Sequence, residues 1–394
     1  MTTLTQIREI VWMNLQSIPH RAGASTVIVV GIAGVVAVLV AMLSMSAGLQ
    51  RTLSGTGAWD RAIVLRAGSL GEISSFNDRA SATLIRQDPS IRRDEDGLAM
   101  ASGELIVITE VPRKGQSGGT NVTLRGVEPM GFTLRPELRI SAGRRPRPGL
   151  RELIVGHNAQ RQFDGLDIGT HLQLRGSNWQ IVGVFESGGD AHESELWGDT
   201  EALQSAFKRT GYSSVIAQLT SRDAFDSMKA RLSDDPQLTV DVQRERDFFS
   251  AQSKSLTTLI GVLAGIITVI MAFGALFGAL NTMYSAVSQR TAEIGTLRAL
   301  GFGSLPVVAS VMAEALILAG AGGALGAVLA YTLFNGYSVS TLGANFTQIA
   351  FDFAVTPGLV LLGLGSALVI GCLGGLMPAL RAARLPVTTA LRGG

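Results

Sequence analysis

The sequence predicts an α-helical membrane protein with four transmembrane helices and a large extracytoplasmic α/β domain between the first and second spans. Three observations carry this. The charges are segregated: of 64 Asp, Glu, Lys and Arg residues, 53 (26 basic, 27 acidic) lie between Gln50 and Lys254. Four runs carry no ionised side chain, of 29 residues (22–50), 35 (255–289), 37 (315–351) and 28 (353–380). Each exceeds the roughly 20 residues that cross a hydrocarbon core about 30 Å thick. Finally, the basic residues outside the charged block, Arg8, Arg21, Arg290, Arg298, Arg381, Arg384 and Arg392, all fall on one side if both termini and the polar stretch near 290 are cytoplasmic.

In chain order this gives a cytoplasmic segment at 1–21, a first span at 22–50 and an external domain at 51–254. A second span follows at 255–286, a cytoplasmic helix at 287–304 and a third span at 305–335. A short external loop at 336–356, a fourth span at 357–377 and a cytoplasmic tail at 378–394 complete the chain. The first span is too long for the 7–15-residue apolar region of a signal peptide, so it reads as an uncleaved anchor despite its small-residue end "SMSAG". The loop "NGYSVSTLGANFTQIAFD" has no basic residue, as an external loop should.

The external block reads as mixed α/β. Strand-like runs are "RAIVLRA" (61–67), "ELIVIT" (104–109), "NVTLRGVE" (121–128), "HLQLRG" (171–176) and "WQIVGVFE" (179–186). Helix-like runs begin at Asn77, Asp199 and Ser221, each a candidate N-cap. Turn-rich "PRKGQSGGT" and "AGRRPRPG" separate subdomains, giving an α/β lobe built from both ends of the block with a β-rich insertion near 120–200. The sole cysteine, Cys372, lies in the fourth span, so no disulfide within the chain is possible.

Catalytic chemistry is sparse. His157, His171 and His192 come without an HExxH or CxxC motif. The densest constellation is "ESGGDAHESELWGD", with Glu186, Asp190, His192, Glu193, Glu195 and Asp199, read as a solvated acidic loop or contact surface in preference to a metal site. Its basic counterpart, Arg135, Arg139, Arg144, Arg145, Arg147 and Arg151, reads as surface with local ion pairs or as a docking site for an acidic partner. The net charge of +2 and the lack of a basic patch interleaved with aromatics exclude a nucleic-acid partner. No GxxxxGK[ST] motif occurs, so any ATP is hydrolysed by another subunit and no cofactor is expected on this chain.

Within the spans, Gly274 and Gly278, Gly322 and Gly326, and Gly371 and Gly375 are each four apart, a spacing that lets helices approach closely. They pack either among the four spans or between two copies of the chain. Glu314 is the one ionisable residue within a span, about eight residues in, with either a hydrogen-bonded structural role or one in coupling. On the cytoplasmic stretch a helical projection gathers Ile294, Leu297 and Leu300 in one arc with Arg290 and Glu293, and puts Ala292, Gly295 and Ala299 opposite. A helix lying on lipid would separate charges from apolar residues more cleanly, so this mixed arc suits a protein partner. Arg290 and Glu293 could also pair locally at i,i+3.

The segment "NTMYSAVSQRTAEIGTLRALGFG" (281–303) resembles the signature of the MacB/FtsX-type ABC transporter permeases, the type VII or mechanotransmission family. "PALRAARLPVTTALR" (378–392) is similar to that family's ending, "GGALGAVLAY" to its third span, and "LRGVEP", "GRRPRPGLRELIVGHNAQ" and "WQIVGVFE" to the MacB-type periplasmic core. The resemblance implies a homodimer in the bacterial inner membrane bound to two copies of a separate ABC ATPase that carries the ATP and Mg. The coupling residues would be Arg290, Glu293, Ile294, Leu297, Arg298, Leu300 and Gly301. In MacB the ATPase is fused; here the chain starts shortly before its first span, so a neighbouring subunit is expected to supply it. The implied function is to convert ATP hydrolysis into movement of the periplasmic domain, driving efflux of a periplasmic substrate with an adaptor and an outer-membrane channel. Lipoprotein release or control of cell-wall hydrolases by the same family, and a membrane receptor without energy coupling, stand as alternatives.

Overall fold

A computed structural model describes residues 22–115, 118–343 and 347–384, together with 6, 8, 9 and 11. Most of the N-terminal segment, including Arg21, and the tail from 385, including Arg392, lie outside the described residues. The chain forms two compact units: a helical one (Met1–Ala47, Thr258–Tyr337, Phe353–Gly394) and an external one (Gly48–Thr257, Ser338–Asp352).

Helix α1 (Ala22–Gly55) leads into β1 (Arg61–Arg66), α2 (Arg79–Arg86), β2 (Ala101–Pro112), β3 (Gly119–Val127), α3 (Pro129–Thr133) and β4 (Arg139–Gly143). Then come β5 (Glu152–Gly156), α4 (His157–Gln162), β6 (His171–Leu174), β7 (Ser177–Glu186), β8 (Leu196–Asp199), α5 (Thr200–Phe207), β9 (Ser214–Gln218), α6 (Ala224–Asp234) and β10 (Val240–Arg244). The chain continues through α7 (Glu245–Gln289), α8 (Thr291–Ala299), α9 (Ser304–Phe334), β11 (Ser338–Leu342), β12 (Gln348–Asp352) and α10 (Pro357–Arg384).

The external sheet runs β10-β1-β9-β2-β3-β8-β5-β7-β4, with β6 beside β7. Its hinge is β2: residues 101–104 pair with β9 and residues 105–112 with β3, so one strand joins the lobe made from both ends of the block to the inserted strands. In β1 the period of two sends Ala62 and Val64 into the core under α2 and α6, while Ile63 and Leu65 meet Phe248 and Phe249 on the other face. Both faces are covered, which is why "RAIVLR" reads as a continuous apolar run. The inserted half repeats this, with Leu153, Val155, Trp179 and Ile181 on one face and Ile154, Val182, Phe185 and Trp197 on the other.

The five anticipated strand runs lie in β1, β2, β3, β6 and β7; β4, β5, β8, β9 and β10 were not anticipated. Asp199 caps α5, accepting from the Ala202 amide at 3.0 Å. The cap of α2 is Asp78 rather than Asn77: Asp78 accepts from Ser81 N at 2.7 Å, whereas Asn77 is buried in a β-bridge with Tyr212. Helix α6 begins at Ala224, three residues beyond Ser221.

Two expectations are corrected here, and a third is refined. The acidic run is solvated only at Glu186: Asp190, His192, Glu193, Glu195 and Asp199 are all buried, because arginines, backbone amides and Trp197 replace the water they would lose. Arg135 is buried with them instead of lying on the basic surface. The stretch read as a short external loop forms a hairpin, β11 against β12, which belongs to the external unit through a Thr123–Thr347 hydroxyl contact of 2.9 Å.

Four helices, α1, α7, α9 and α10, are long and apolar enough to cross a membrane. The glycines divide by partner. A Cβ on Gly326 would stand 2.5 Å from the Ala33 carbonyl oxygen, and one on Gly322 would stand 2.8 Å from that of Val29, so α9 lies directly on α1. Gly375 would meet Ala315 Cβ at 2.6 Å and Gly371 the Ala319 methyl, which seats α10 on α9. A Cβ on Gly274 or Gly278 would meet nothing within 4 Å among the described residues, so neither glycine is needed for close packing within the protomer.

Candidate coupling segment and a buried charge cluster

The polar stretch forms its own helix because Arg290 interrupts α7. Its backbone leaves the helical region (φ −102°, ψ 11°), while its carbonyl accepts from the Ile294 amide at 2.9 Å to start α8. Gly301 stops α8. At φ +93° it occupies the left-handed region that a side chain disfavours, and its amide closes on Arg298 O at 3.1 Å while that of Phe302 reaches Leu297 O at 3.1 Å.

The arc predicted from the helical projection is split by burial. Arg290 and Ile294 turn inward: the Arg290 guanidinium meets Glu314 of α9 at 3.1 Å with both side chains 6% exposed, and Ile294 packs with Met283, Val287, Val307 and Val311. The pairing that sequence proximity suggested, Arg290 with Glu293, gives way to one 24 residues apart, and Glu314 thereby has a partner. Glu293 and Leu300 face outward, Leu300 at 72% exposure, with Leu297 and Arg298 half-buried between them. Gly295 is buried, whereas Ala292 and Ala299 are exposed. Arg381 of α10 stacks over Tyr284 of α7, 5.5 Å from the ring centre. The outward residues thus form a small mixed patch held on a helix that a buried ion pair braces from behind.

A second cluster, which sequence reasoning missed, lies in the external unit. Arg125 of β3 makes bidentate contacts to Glu195 (2.7 and 2.9 Å) and Glu72 (2.9 and 3.0 Å) and one to Glu104 (2.8 Å). Glu104 also receives Arg135 at 2.6 Å, Arg135 reaches Glu245 at 3.4 Å, and Glu245 takes Arg61 Nε at 2.5 Å. Trp197 donates its indole N–H to Glu195 at 2.7 Å and lies under both Arg125 and Arg135. Burial pulls the Arg125 pKa down, but Glu195 and Glu72 outweigh it and raise it well above the ordinary value; burial pushes Glu72 up, and Arg125 overrides that to lower it. Each charged group in this chain of contacts touches at least one of opposite sign, although the carboxylates outnumber the guanidiniums. Among the described residues no group of His, Cys, Asp and Glu is placed to hold a metal ion. The only sequence signal was a charge-rich stretch whose partners lie on distant strands.

The chain matches the family model of the MacB-like periplasmic core domain over residues 25–235 and that of the FtsX-like permease C-terminal region over residues 265–387. It is 25% identical to the macrolide export ATP-binding/permease protein MacB of Bdellovibrio bacteriovorus, over 94% of this chain and 59% of that protein. It is also 25% identical to an uncharacterised ABC transporter permease of Bacillus subtilis, YknZ, over 93% of each. The crystal structure of the extracellular domain of a YknZ transporter from Gram-positive bacteria aligns with 46% of this chain and 99% of its own, at 17% identity and a TM-score of 0.35. The chain therefore spans less than two thirds of the length of the MacB proteins it matches.

Proposed function

Because this chain belongs to the MacB/FtsX-type ABC transporter permeases, a family with a periplasmic core domain, we propose that it converts ATP hydrolysis by a separate ABC ATPase into movement of that domain. The ATPase, in two copies carrying ATP and Mg, docks on the segment from Arg290 to Gly301 of a homodimer of this chain. The observation that carries the reading is the outward patch of Glu293, Leu297 and Leu300 on a helix braced by the buried Arg290–Glu314 pair. An apolar anchor beside a charge, held rigidly, is what a load-transmitting protein contact needs. Gly274 and Gly278 on α7, where a Cβ would meet nothing within 4 Å among the described residues, supply the face for the second copy. The chain sits in the bacterial inner membrane with both termini cytoplasmic. The work is efflux of a periplasmic substrate with an adaptor and an outer-membrane channel.

The test is co-purification with the ATPase and ATPase activity of the complex, for Glu293→Arg and Leu297→Asp. Both are expected to lose partner binding by about thirtyfold, corresponding to about 2 kcal/mol at an interface anchor. Since neither side chain is in the bundle core, both variants should insert as wild type does. Undiminished binding and activity in both would refute docking at this segment.

A further inference from the structure

The turn at Ala191–Ser194 plays no part in the coupling reading, yet it contacts the residue that follows α1, the first turns of α7 and strand β12. The Ala191 amide donates to the Thr56 hydroxyl, just past the end of α1, at 3.0 Å. The His192 ring meets Phe249 of α7 edge-on, with centroids 5.4 Å apart. The Ser194 hydroxyl accepts from the Ala350 amide of β12 at 2.9 Å. Strand β12 also closes on α1, where a Cβ on Gly48 would fall 3.0 Å from the Asp352 carbonyl carbon. On its inner side the turn is fixed to β5, whose Gly156 amide donates to Glu195 O at 2.9 Å.

His192 is the keystone of that turn. It is 2% exposed, packed between Trp197 and Phe249, with Nδ1 3.0 Å from Asp190 Oδ2. Asp190 is itself held by the Ser187 hydroxyl and the His192 amide. The other ring nitrogen, Nε2, is buried with no hydrogen-bond partner among the described residues, so the Asp190 contact is the ring's one polar anchor. The charged groups facing the ring are Asp190 and Glu195 of its own segment, Glu72, Arg125 of β3 and Glu245 of α7; Glu193 turns away to the Ser187 and Gly189 amides. Glu72, Glu104, Asp190, Glu195 and Glu245 are five buried carboxylates set against three buried guanidiniums, Arg61, Arg125 and Arg135. An imidazolium reduces that deficit, and a neutral ring leaves it in full.

We propose that His192 is a proton-dependent latch: its imidazolium locks the turn Ala191–Ser194 against the end of α1, the first turns of α7 and the hairpin, and loss of the proton releases the three together. Burial favours the neutral ring, but Asp190 and Glu195 outweigh it and raise the His192 pKa above its ordinary 6.5. A raised folded pKa means that the stabilisation is complete below about 6.5 and is lost as pH climbs through the folded value. The latch therefore closes at neutral and acid pH and opens on the alkaline side. It holds whatever drives the helical unit, so it stands apart from ATPase docking.

The experiment is amide hydrogen exchange on the full-length protein in detergent, corrected for the intrinsic pH dependence of exchange. Peptides covering 48–57, 190–195, 245–257 and 347–352 are followed between about pH 6 and 9. Wild type should lose protection in all four together, by about tenfold or more, around one midpoint. Exchange of the His192 ring C2 proton should report the same midpoint. His192→Gln should remove the step. Asp190→Asn, which keeps the ring, should move the midpoint down by about one pH unit or more, the range a neighbouring carboxylate commands. An unshifted midpoint in Asp190→Asn, a step retained in His192→Gln, or loosening confined to 190–195 would each overturn the latch.

Discussion

Replacing Arg290 by Met and Glu314 by Leu, singly and together, tests the brace behind α8. The two charges meet at 3.1 Å with both side chains 6% exposed. At an effective dielectric constant of about 20, opposite charges about 4 Å apart attract by about 4 kcal/mol, and burial of the pair costs several kcal/mol per ion. The pair as a whole therefore adds little over a well-packed apolar substitute, whereas removing Arg290 alone leaves the buried Glu314 carboxylate without this guanidinium. Arg290→Met should lose about 3–5 kcal/mol, and Glu314→Leu less. The double variant Arg290→Met/Glu314→Leu should come within about 1 kcal/mol of wild type, because Met283, Val287, Val307 and Val311 already surround the site with apolar groups. The cycle would then show a coupling energy of at least about 2 kcal/mol. Unfolding by SDS in mixed micelles, followed by far-UV circular dichroism, provides the free energies. Additive effects, or single variants within about 1 kcal/mol of wild type, would refute the view that this pair braces α8 against α9. If the brace also serves docking, the double variant should restore the fold and reduce ATPase stimulation, since an apolar contact holds the helix less specifically than an ion pair.

Gly326→Ala should destabilise the helical unit by about 1–3 kcal/mol by overpacking, since its Cβ would stand 2.5 Å from Ala33 O, whereas Gly274→Ala should leave the protomer's unfolding midpoint unchanged; equal midpoints for the two would contradict the packing described. In the external unit the depressed pKa of Glu72 contributes stability that is present above its unfolded value of about 4.5 and is lost as pH falls through the folded one, so thermal unfolding of the full chain should weaken as pH falls below about 4.5, and less so in Glu72→Gln. An identical acid profile in that variant would remove Glu72 from the account.

The sequence by itself determined the membrane plan. Residence in lipid is a demand on composition, met residue by residue, so four uncharged runs and the confinement of charge to 50–254 marked the spans and the inserted domain without reference to any contact. Strands such as "RAIVLR" and "WQIVGVFE", and the cap at Asp199, were legible for the same local reason. The stretch near 290 was also visible, as a polar helix between two apolar runs, while its stop at Gly301 came from the structure. Only the tertiary structure decided which charges meet. Glu293 is next to Arg290 on a helix wheel, yet Glu314 takes the guanidinium because α9 folds back against the interruption of α7. The run holding Asp190, His192 and Glu195 looked solvated because charge favours water, and nothing local reveals that Arg125, on another strand, will replace that water. The glycine pairs carry the same spacing in α7, α9 and α10, but spacing permits close approach without naming a neighbour. Gly322 and Gly326 found α1, Gly371 and Gly375 found α9, and Gly274 and Gly278 found none among the described residues, since a contact requires a second surface whose position belongs to the fold.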